Sequence, residues 1–283
     1  MQIDLIDTFL DLMETNSFNR SAERLGVKQS TVSARMQTLE TQLGTLLFDR
    51  NRGGTRPTVA GQNFLPHARA LRHEWNEARR SLSGPADSPR LRIGLQSDLA
   101  THYIGDWVQA LLRALPGATF YVEADFSAQM SEDVLSGSHD LALLFTPFPH
   151  PDLHYERLGD VTYRMVSTHA SSLAEVAADR LMLADYSPSF SAQQRAVLTQ
   201  PALAPVASGL SSTVAGLLRA LGGSAYVLDR AGAAMVAEGW ARSVEDAPTI
   251  SQPVYSVIHL RRRHVATHKR LLAALRGHFT AAI

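Results

Sequence analysis

The spacing of apolar residues changes near residue 90. Before that point apolar side chains recur every three or four positions, the spacing of amphipathic helices. After it, short continuous apolar runs alternate with helical segments. The first pattern predicts a helical N-terminal part, and the second predicts strands alternating with helices. We therefore expect an α/β protein with an N-terminal domain of a different kind.

Residues 17–43 predict two helices joined by a tight turn. Ser17 is a candidate N-cap, Ala22 is small enough for a helix crossing, and Gly26 suits a positive φ in the turn. The second helix has an apolar face formed by Val32, Met36, Leu39 and Leu43. Its opposite face carries small or amide side chains suited to base edges in a major groove: Ser30, Thr31, Ser33, Ala34, Gln37 and Thr38. The alternative is an ordinary amphipathic helix pair.

A basic hairpin follows and favours the helix-turn-helix. Two short strands flank the turn residues 51–54, so that Arg50, Arg52 and Arg56 cluster on a small wing. Residues 20–58 hold seven Lys or Arg against three Asp or Glu, whereas the whole chain is balanced at 27 against 27. The positive excess thus lies where a phosphate backbone would run.

A long helix is predicted from Thr58 to about residue 82, bent near Pro66. Apolar residues on it are spaced 4, 3, 4, 3, 4, which is typical of a helix–helix seam: Phe64, Ala68, Leu71, Trp75, Ala78 and Leu82. This spacing favours a dimer, and packing on its own domain is the alternative. Two Pro and a Gly then predict a hinge at residues 84–89.

From residue 90 strands and helices alternate, which predicts a mostly parallel sheet in two lobes. The predicted strands are residues 91–95, 119–124, 140–145, 161–167, 181–184, 225–229 and 254–260. The predicted helices are residues 99–115, 128–135, 211–221, 232–238 and 265–279.

The N-terminal pattern resembles the LysR-type transcriptional regulators. The matching positions are Ser17-Phe18, Ala22, Leu25, Gln29, Ser33, Leu39-Glu40, Leu43-Gly44, Leu47-Phe48, Arg50, Thr58 and Gly61. Two positions depart from the family pattern: Ser30 replaces the usual Pro, and Lys28 replaces a frequent Ser or Thr, which removes a likely N-cap. The resemblance implies DNA contacts from Gln29, Ser30, Thr31, Ser33, Arg50, Arg52 and Arg56. Arg35 and Gln37 of the second helix are further candidate DNA-binding residues.

The resemblance also implies the domain organisation. It gives a winged helix-turn-helix domain at residues 1–58, a linker and dimerisation helix at 59–83, a hinge at 84–89 and a two-lobe effector domain at 90–283. This last domain resembles periplasmic binding proteins. The implied partners are an operator with inverted half-sites, a small effector of unknown identity, and further copies of the chain in a homodimer or homotetramer.

Ligands of open α/β sheets collect beyond the carboxyl ends of strands, near helix N-termini. The candidate effector-binding residues at such places are Ser97, Asp98, Leu99, Thr146, Tyr186, Ser187, Ser208 and Ser211. Helix-start amides and hydroxyls there suit a carboxylate ligand. The alternative is that these hydroxyls only cap helices.

Other classes of protein are disfavoured. The chain lacks Cys, which excludes thiol chemistry, and it has no apolar run of about twenty residues that would cross a membrane. Asp4, Asp7 and Asp11 argue against a signal peptide and for the cytoplasm, which disfavours a solute-binding protein. We find no nucleophile–base pair and no cofactor motif, so we expect neither an enzyme nor a bound cofactor.

Three further signals carry little weight. The basic run at residues 261–264 is expected to be a solvated surface. His264 and His268 have metal-ligand spacing without a third ligand, so we predict no metal site. Ser138, His139 and Asp140 are sequence neighbours, whose side chains diverge too much for a catalytic triad.

Overall fold

The structure is a computed structural model that describes residues 2–51, 54–82, 89–198 and 204–280. The chain forms two compact units, one N-terminal and one C-terminal. Except for Pro89, the predicted hinge lies outside the described residues. None of the described helices is long and apolar enough to cross a membrane.

Three helices, a two-stranded wing and a long fourth helix make up the N-terminal unit. In chain order they are α1 (Ile3–Thr15), α2 (Phe18–Leu25), α3 (Gln29–Leu43), β1 (Phe48–Asn51), β2 (Gly54–Pro57) and α4 (Val59–Leu82). Strands β1 and β2 pair antiparallel. The predicted winged helix-turn-helix and the long helix after it are confirmed.

The core of this unit lies where α1 contacts α2, α3 and α4. Its buried side chains include Leu5, Ile6, Phe9, Leu12, Val32, Met36, Leu39 and Leu47. The rings of Phe48 and Phe64 lie 5.6 and 5.1 Å from the ring of Phe9. The prediction that Leu43 belongs to this buried face is wrong: Leu43 is 39% exposed. It ends α3, and Gly44 turns the backbone into the left-handed region there.

The acidic side chains of α1 bind arginines of the neighbouring helices. Asp4 pairs with Arg35 of α3 at 3.2 Å, and Asp7 pairs with Arg72 of α4 at 3.0 Å. Buried Asp11 pairs with Arg24 of α2 at 2.8 Å. These ion pairs link α1 to each helix that it packs against.

Thr58 caps α4, as predicted: its Oγ1 accepts the Gly61 N–H at 3.0 Å and donates to the Leu46 carbonyl at 2.8 Å. Gly61 lies against the backbone of Leu47, where any Cβ would clash with the carbonyl oxygen. A side chain at residue 61 would therefore separate α4 from the base of the wing. The helix continues through Pro66.

The C-terminal unit contains nine named strands and six α-helices among its described residues. The first part holds β3 (Arg90–Gln96), α5 (Ser97–Ala114), β4 (Thr119–Asp125), α6 (Ser127–Leu135), β5 (Leu141–Leu144) and β6 (Leu153–Ser167). The middle holds β7 (Met182–Ala184), α7 (Pro188–Val197), β8 (Val206–Ser208), α8 (Ser211–Leu221) and β9 (Ser224–Leu228). The last part holds α9 (Asp229–Ala237), β10 (Arg242–Ser243), β11 (Ile250–His259) and α10 (Ala266–Thr280).

Two long antiparallel strands, β6 and β11, connect two lobes. The first lobe has β3 parallel to both β4 and β5, with β11 antiparallel to β5. In the second lobe β9 and β10 pair antiparallel with β6, and β7 and β8 form a separate parallel pair. The two-lobe prediction is confirmed. The prediction of a mostly parallel sheet is wrong, because β6 and β11 run antiparallel to each other and to their other partners.

Aromatic side chains fill the second lobe next to β6. The rings of Tyr186 and Phe190 each lie 4.8 Å from that of Tyr163, and Tyr226 packs edge-on to Phe190 at 6.2 Å. Of the four, Tyr163, Phe190 and Tyr226 are wholly buried and Tyr186 nearly so. Tyr186 also lines the site described next, so the cluster packs directly behind that site.

Candidate functional site

The helix-turn-helix presents one polar face of α3 to solvent. Ser17 caps α2 by accepting the Arg20 N–H at 3.4 Å, and Gly26 ends α2 with φ 65°, both as predicted. Lys28 precedes α3 without a capping side-chain bond. The side chains of this face are exposed at Gln29, Ser30, Ala34, Gln37 and Thr38, and half-buried at Thr31 and Ser33.

Arg35 is placed differently from the other proposed DNA contacts. Its guanidinium group binds Asp4 and donates to the Thr8 hydroxyl at 3.4 Å. The side chain is thereby held against α1 and not presented with the polar face of α3. Arg35 therefore docks α3 on α1, and its role as a DNA contact stays a prediction.

Glu40 attaches the wing to α3. Its Oε1 accepts the backbone N–H groups of Leu47 at 2.8 Å and Phe48 at 3.2 Å. Arg56 is exposed on β2, opposite Asp49 of β1. The side chain of Arg50 and the whole of Arg52 lie outside the described residues, so their predicted roles stay predictions.

The predicted seam on α4 divides into two parts. Phe64 and Ala68 pack into the core of their own unit, which corrects their assignment to a dimer interface. Leu71 and Trp75 are 40% and 45% exposed. Ala78 is exposed as well, and the side chain of Leu82 lies outside the described residues.

A cleft of about 360 Å³ lies between the two lobes of the C-terminal unit. The first lobe contributes Gln96, Phe126, Ser127, Ala128, Thr146, Pro147 and Phe148. The second lobe contributes Asp185, Tyr186, Ser187 and Pro188. The predicted residues Thr146, Tyr186 and Ser187 therefore line one cleft. Phe126, Ser127, Ala128, Pro147 and Phe148 were missed, although Phe126 and Ser127 directly follow β4.

The remaining predicted effector residues do not line the cleft. Leu99 is wholly buried in the core, and Ser97 begins α5 beside it. The Ser208 hydroxyl accepts the Leu210 N–H at 3.2 Å, a local turn contact. Ser211 is buried at the start of α8. The choice of residues at helix starts and strand ends therefore includes several that do not line this cleft.

Asp98 is a buried carboxylate that connects the lobes. From α5 it accepts the Ser211 N–H at 2.6 Å and the Tyr163 hydroxyl at 2.9 Å. Burial raises the pKa of Asp98 from 3.8 to about 6, against the lowering effect of its two donors. Burial, followed by the charge of Asp98, holds the pKa of Tyr163 well above its ordinary value. Asp98 therefore occupies the N-terminus of α8, where the sequence predicted a ligand carboxylate.

The other sequence signals have structural roles. Arg262 pairs with buried Asp140 at 2.9 Å, so the basic run is not merely a solvated surface. His139 lies 3.4 Å from Asp133, and Asp140 also accepts the Arg92 N–H. No group of three His, Cys, Asp or Glu suited to a metal ion occurs in the part of the chain that the structure describes.

Comparisons with known proteins identify the class that this fold represents. The family "Bacterial regulatory helix-turn-helix protein, lysR family" matches residues 3–62, and "LysR substrate binding domain" matches residues 85–280. The HTH-type transcriptional regulator HdfR of Yersinia enterocolitica is 30% identical over 276 residues, which cover 91% of this chain and 90% of HdfR.

Full-length structures share the fold at lower identity. CbnR complexed with its target DNA matches with a TM-score of 0.60 and 17% identity, over 98% of this chain and 99% of CbnR. LysG of Corynebacterium glutamicum, with Arg bound as effector, matches with a TM-score of 0.58 and 20% identity over 99% of both chains. The chain belongs to the LysR family: it is a DNA-binding transcriptional regulator with a substrate-binding domain, and not an enzyme.

Proposed function

We propose that this chain is a sequence-specific regulator that a small effector controls, acting in the cytoplasm where bacterial DNA lies. The proposal rests on one observation, that the chain combines an exposed α3 face beside a wing with a cleft lined from two lobes. On this proposal residues 1–58 bind DNA, residues 59–83 dimerise, residues 84–89 act as a hinge and residues 90–283 bind the effector.

We assign sequence recognition to α3 and phosphate binding to the wing. Gln29, Ser30, Thr31, Ser33 and Gln37 have polar side chains on or beside the solvent-facing side of α3, suited to base edges. Arg50, Arg52 and Arg56 supply positive charge for phosphates. The likeness to CbnR, whose structure contains its target DNA, supports this use of the fold.

Dimerisation is assigned to the outer face of α4. Leu71 and Trp75 are large apolar side chains, half exposed and one helical turn apart, and Ala78 and Leu82 continue their spacing. A symmetric pair of such helices buries them and carries two DNA-binding domains, so the operator has inverted half-sites. We extend this proposal to a homotetramer from the family resemblance.

Effector control is assigned to the interlobe cleft. Its volume suits a small molecule, and both lobes contribute residues to it, so a bound ligand favours one arrangement of the lobes. The likeness to LysG, which was solved with Arg as effector, supports a ligand-binding role for this fold. The ligand binds the two arrangements of the lobes with different affinities. This difference couples effector binding to DNA binding.

The test uses the full chain and an operator fragment selected from random DNA. Small molecules that raise its thermal stability are tested for their effect on operator binding by fluorescence anisotropy. We expect Thr146→Val to abolish that effect while leaving operator affinity without ligand unchanged. A full response in this variant, and in Ser187→Ala, would place the effector elsewhere.

A further inference from the structure

Several hydrogen-bond donors around the cleft are already bound to acceptors of the protein itself. The N–H groups of Phe145 and Thr146 both donate to the Ser127 hydroxyl, at 3.2 and 3.3 Å. The Phe148 N–H donates to the Tyr155 hydroxyl at 3.2 Å. These three amides lie at the lip of the first lobe, and each already has an acceptor within the protein.

The second lobe repeats this arrangement at its helix starts. At α7 the Ser187 hydroxyl accepts the Phe190 N–H at 3.0 Å, and at α8 the Asp98 carboxylate accepts the Ser211 N–H. The partial positive charge of a helix N-terminus is the usual attraction for an anion. Here the protein itself satisfies this charge at both helices, of which α7 begins in the cleft and α8 outside it.

The hydroxyl protons of the lining serines are also engaged. Ser127 donates to Gln96 Oε1 at 2.8 Å, and Ser187 donates to Gln252 Oε1 at 2.5 Å. Tyr186 donates to the Tyr226 carbonyl at 3.0 Å. A carboxylate that used one of these donors would have to displace its internal acceptor, and each broken bond to a buried group lowers affinity.

The groups that the cleft does offer are aromatic faces, one carboxylate and the neutral side chains of Gln96 and Thr146. Phe126 and Phe148 are 52% and 53% exposed, and Pro147 and Pro188 add apolar surface. Among the described lining residues, Asp185 carries the only formal charge. Its exposed carboxylate accepts the Ser191 hydroxyl, which orients it. Aromatic faces and a carboxylate both attract cations, and the rings also cover an apolar body.

The geometry points to a small organic cation as the ligand of this cleft, with its ammonium or guanidinium group on Asp185 and its apolar body against Phe126 and Phe148. This assignment rests on the proposed effector role of the cleft and reverses the carboxylate preference that the sequence suggested. It follows from a lining whose one formal charge is negative and whose exposed rings attract cations.

The test compares two probes of nearly equal shape and opposite charge, phenethylammonium and phenylacetate. Each is titrated into the full chain at millimolar concentration, and binding is followed by ligand-observed NMR. We expect phenethylammonium to bind at least tenfold more tightly than phenylacetate. Asp185→Asn, which keeps an oxygen for Ser191, should weaken the binding of phenethylammonium at least tenfold. Asp179→Asn, which removes an exposed charge outside the cleft, should leave the affinity for phenethylammonium unchanged.

The outcomes separate this inference from the proposed function. Tighter binding of phenylacetate, equal binding of both probes, no binding of either, or unchanged cation affinity in Asp185→Asn overturns the cationic class. A cation that binds through Asp185 without changing operator affinity supports the class and overturns the effector role. Loss of cation binding in Phe148→Ala adds support, because it places the probe in the cleft.

Discussion

The carboxylate of Asp98 accepts the backbone N–H of Ser211 at 2.6 Å, across 113 residues of sequence. Asp98 belongs to the first helix of the C-terminal unit, and Ser211 begins a helix of the other lobe. The Tyr163 hydroxyl, 2.9 Å away, supplies the second donor. One buried carboxyl group thus bridges the two lobes, and its ionisation has a measurable consequence.

The C-terminal unit should lose stability as pH rises from about 4 to above 6. Because burial raises the pKa of Asp98 from 3.8 to about 6, the folded state binds its proton more tightly than the unfolded state does. The loss amounts to about 3 kcal/mol, since each unit of pKa is worth about 1.4 kcal/mol. Hydrogen exchange of β6 and β9 peptides at several pH values measures it.

Asp98→Asn isolates this effect from other titrating groups. Asparagine keeps an oxygen for the Ser211 N–H and cannot ionise, so the variant should gain stability over the wild type as pH rises. Asp179→Asn is the matched exposed control. A constant difference between wild type and Asp98→Asn from pH 4 to pH 8 would rule out the titration of Asp98 as the cause.

Gly61→Ala should destabilise the N-terminal unit by about 1–3 kcal/mol, the usual cost of overpacking a tight contact. The added methyl group meets the Leu47 carbonyl at the base of the wing, so α4 or the wing has to move. Thermal unfolding of the full chain checks this. Gly105→Ala is the control, because its Cβ enters open space in α5 and should stabilise that helix slightly.

Leu71→Asp should convert an oligomer into monomers. If the outer face of α4 is the interface, an aspartate there is buried without a partner and costs several kcal/mol. Sedimentation velocity at micromolar concentration measures the change. Gln62→Asp lies about two and a half turns away, on the opposite side of α4, and should leave the oligomer intact. A monomeric wild-type chain would remove the basis for the α4 interface.

Arg56→Ala should weaken binding to all duplex DNA and reduce the salt dependence by about one unit of slope. Arg56 is exposed on the wing, where it supplies charge without reading bases. Binding is measured by fluorescence anisotropy over a series of salt concentrations. Arg113→Ala, an exposed arginine of the C-terminal unit, should change neither quantity. An unchanged slope in Arg56→Ala would take the wing out of the DNA interface.

The N-terminal unit was predictable because its signals are local. The cap at Ser17, the turn at Gly26 and the spacing of Val32, Met36 and Leu39 each act within one or two helical turns. Prediction failed where packing decides the outcome. Nothing near Arg35 in the sequence indicates that Asp4 will bind it.

The cleft was harder to predict because it forms between distant segments. Thr146 and Tyr186 were identified from their positions after strands, but the same rule selected Ser208, which only supports a turn. The rule also placed a ligand at the start of α8, where Asp98 lies. The start of β6 was missed as well, since the consecutive polar residues Glu156 and Arg157 interrupt the alternation that predicts a strand.

The central claim is that side chains of α3 select the DNA sequence to which the oligomeric regulator binds. It is tested most directly by selecting duplexes from a random pool with the full-length wild type and with Gln29→Ala and Gln37→Ala. We predict that the wild type enriches one motif with inverted half-sites, and that each variant changes the preferred base at matching positions in both half-sites. Absence of an enriched motif, or an identical motif from all three proteins, would contradict the claim.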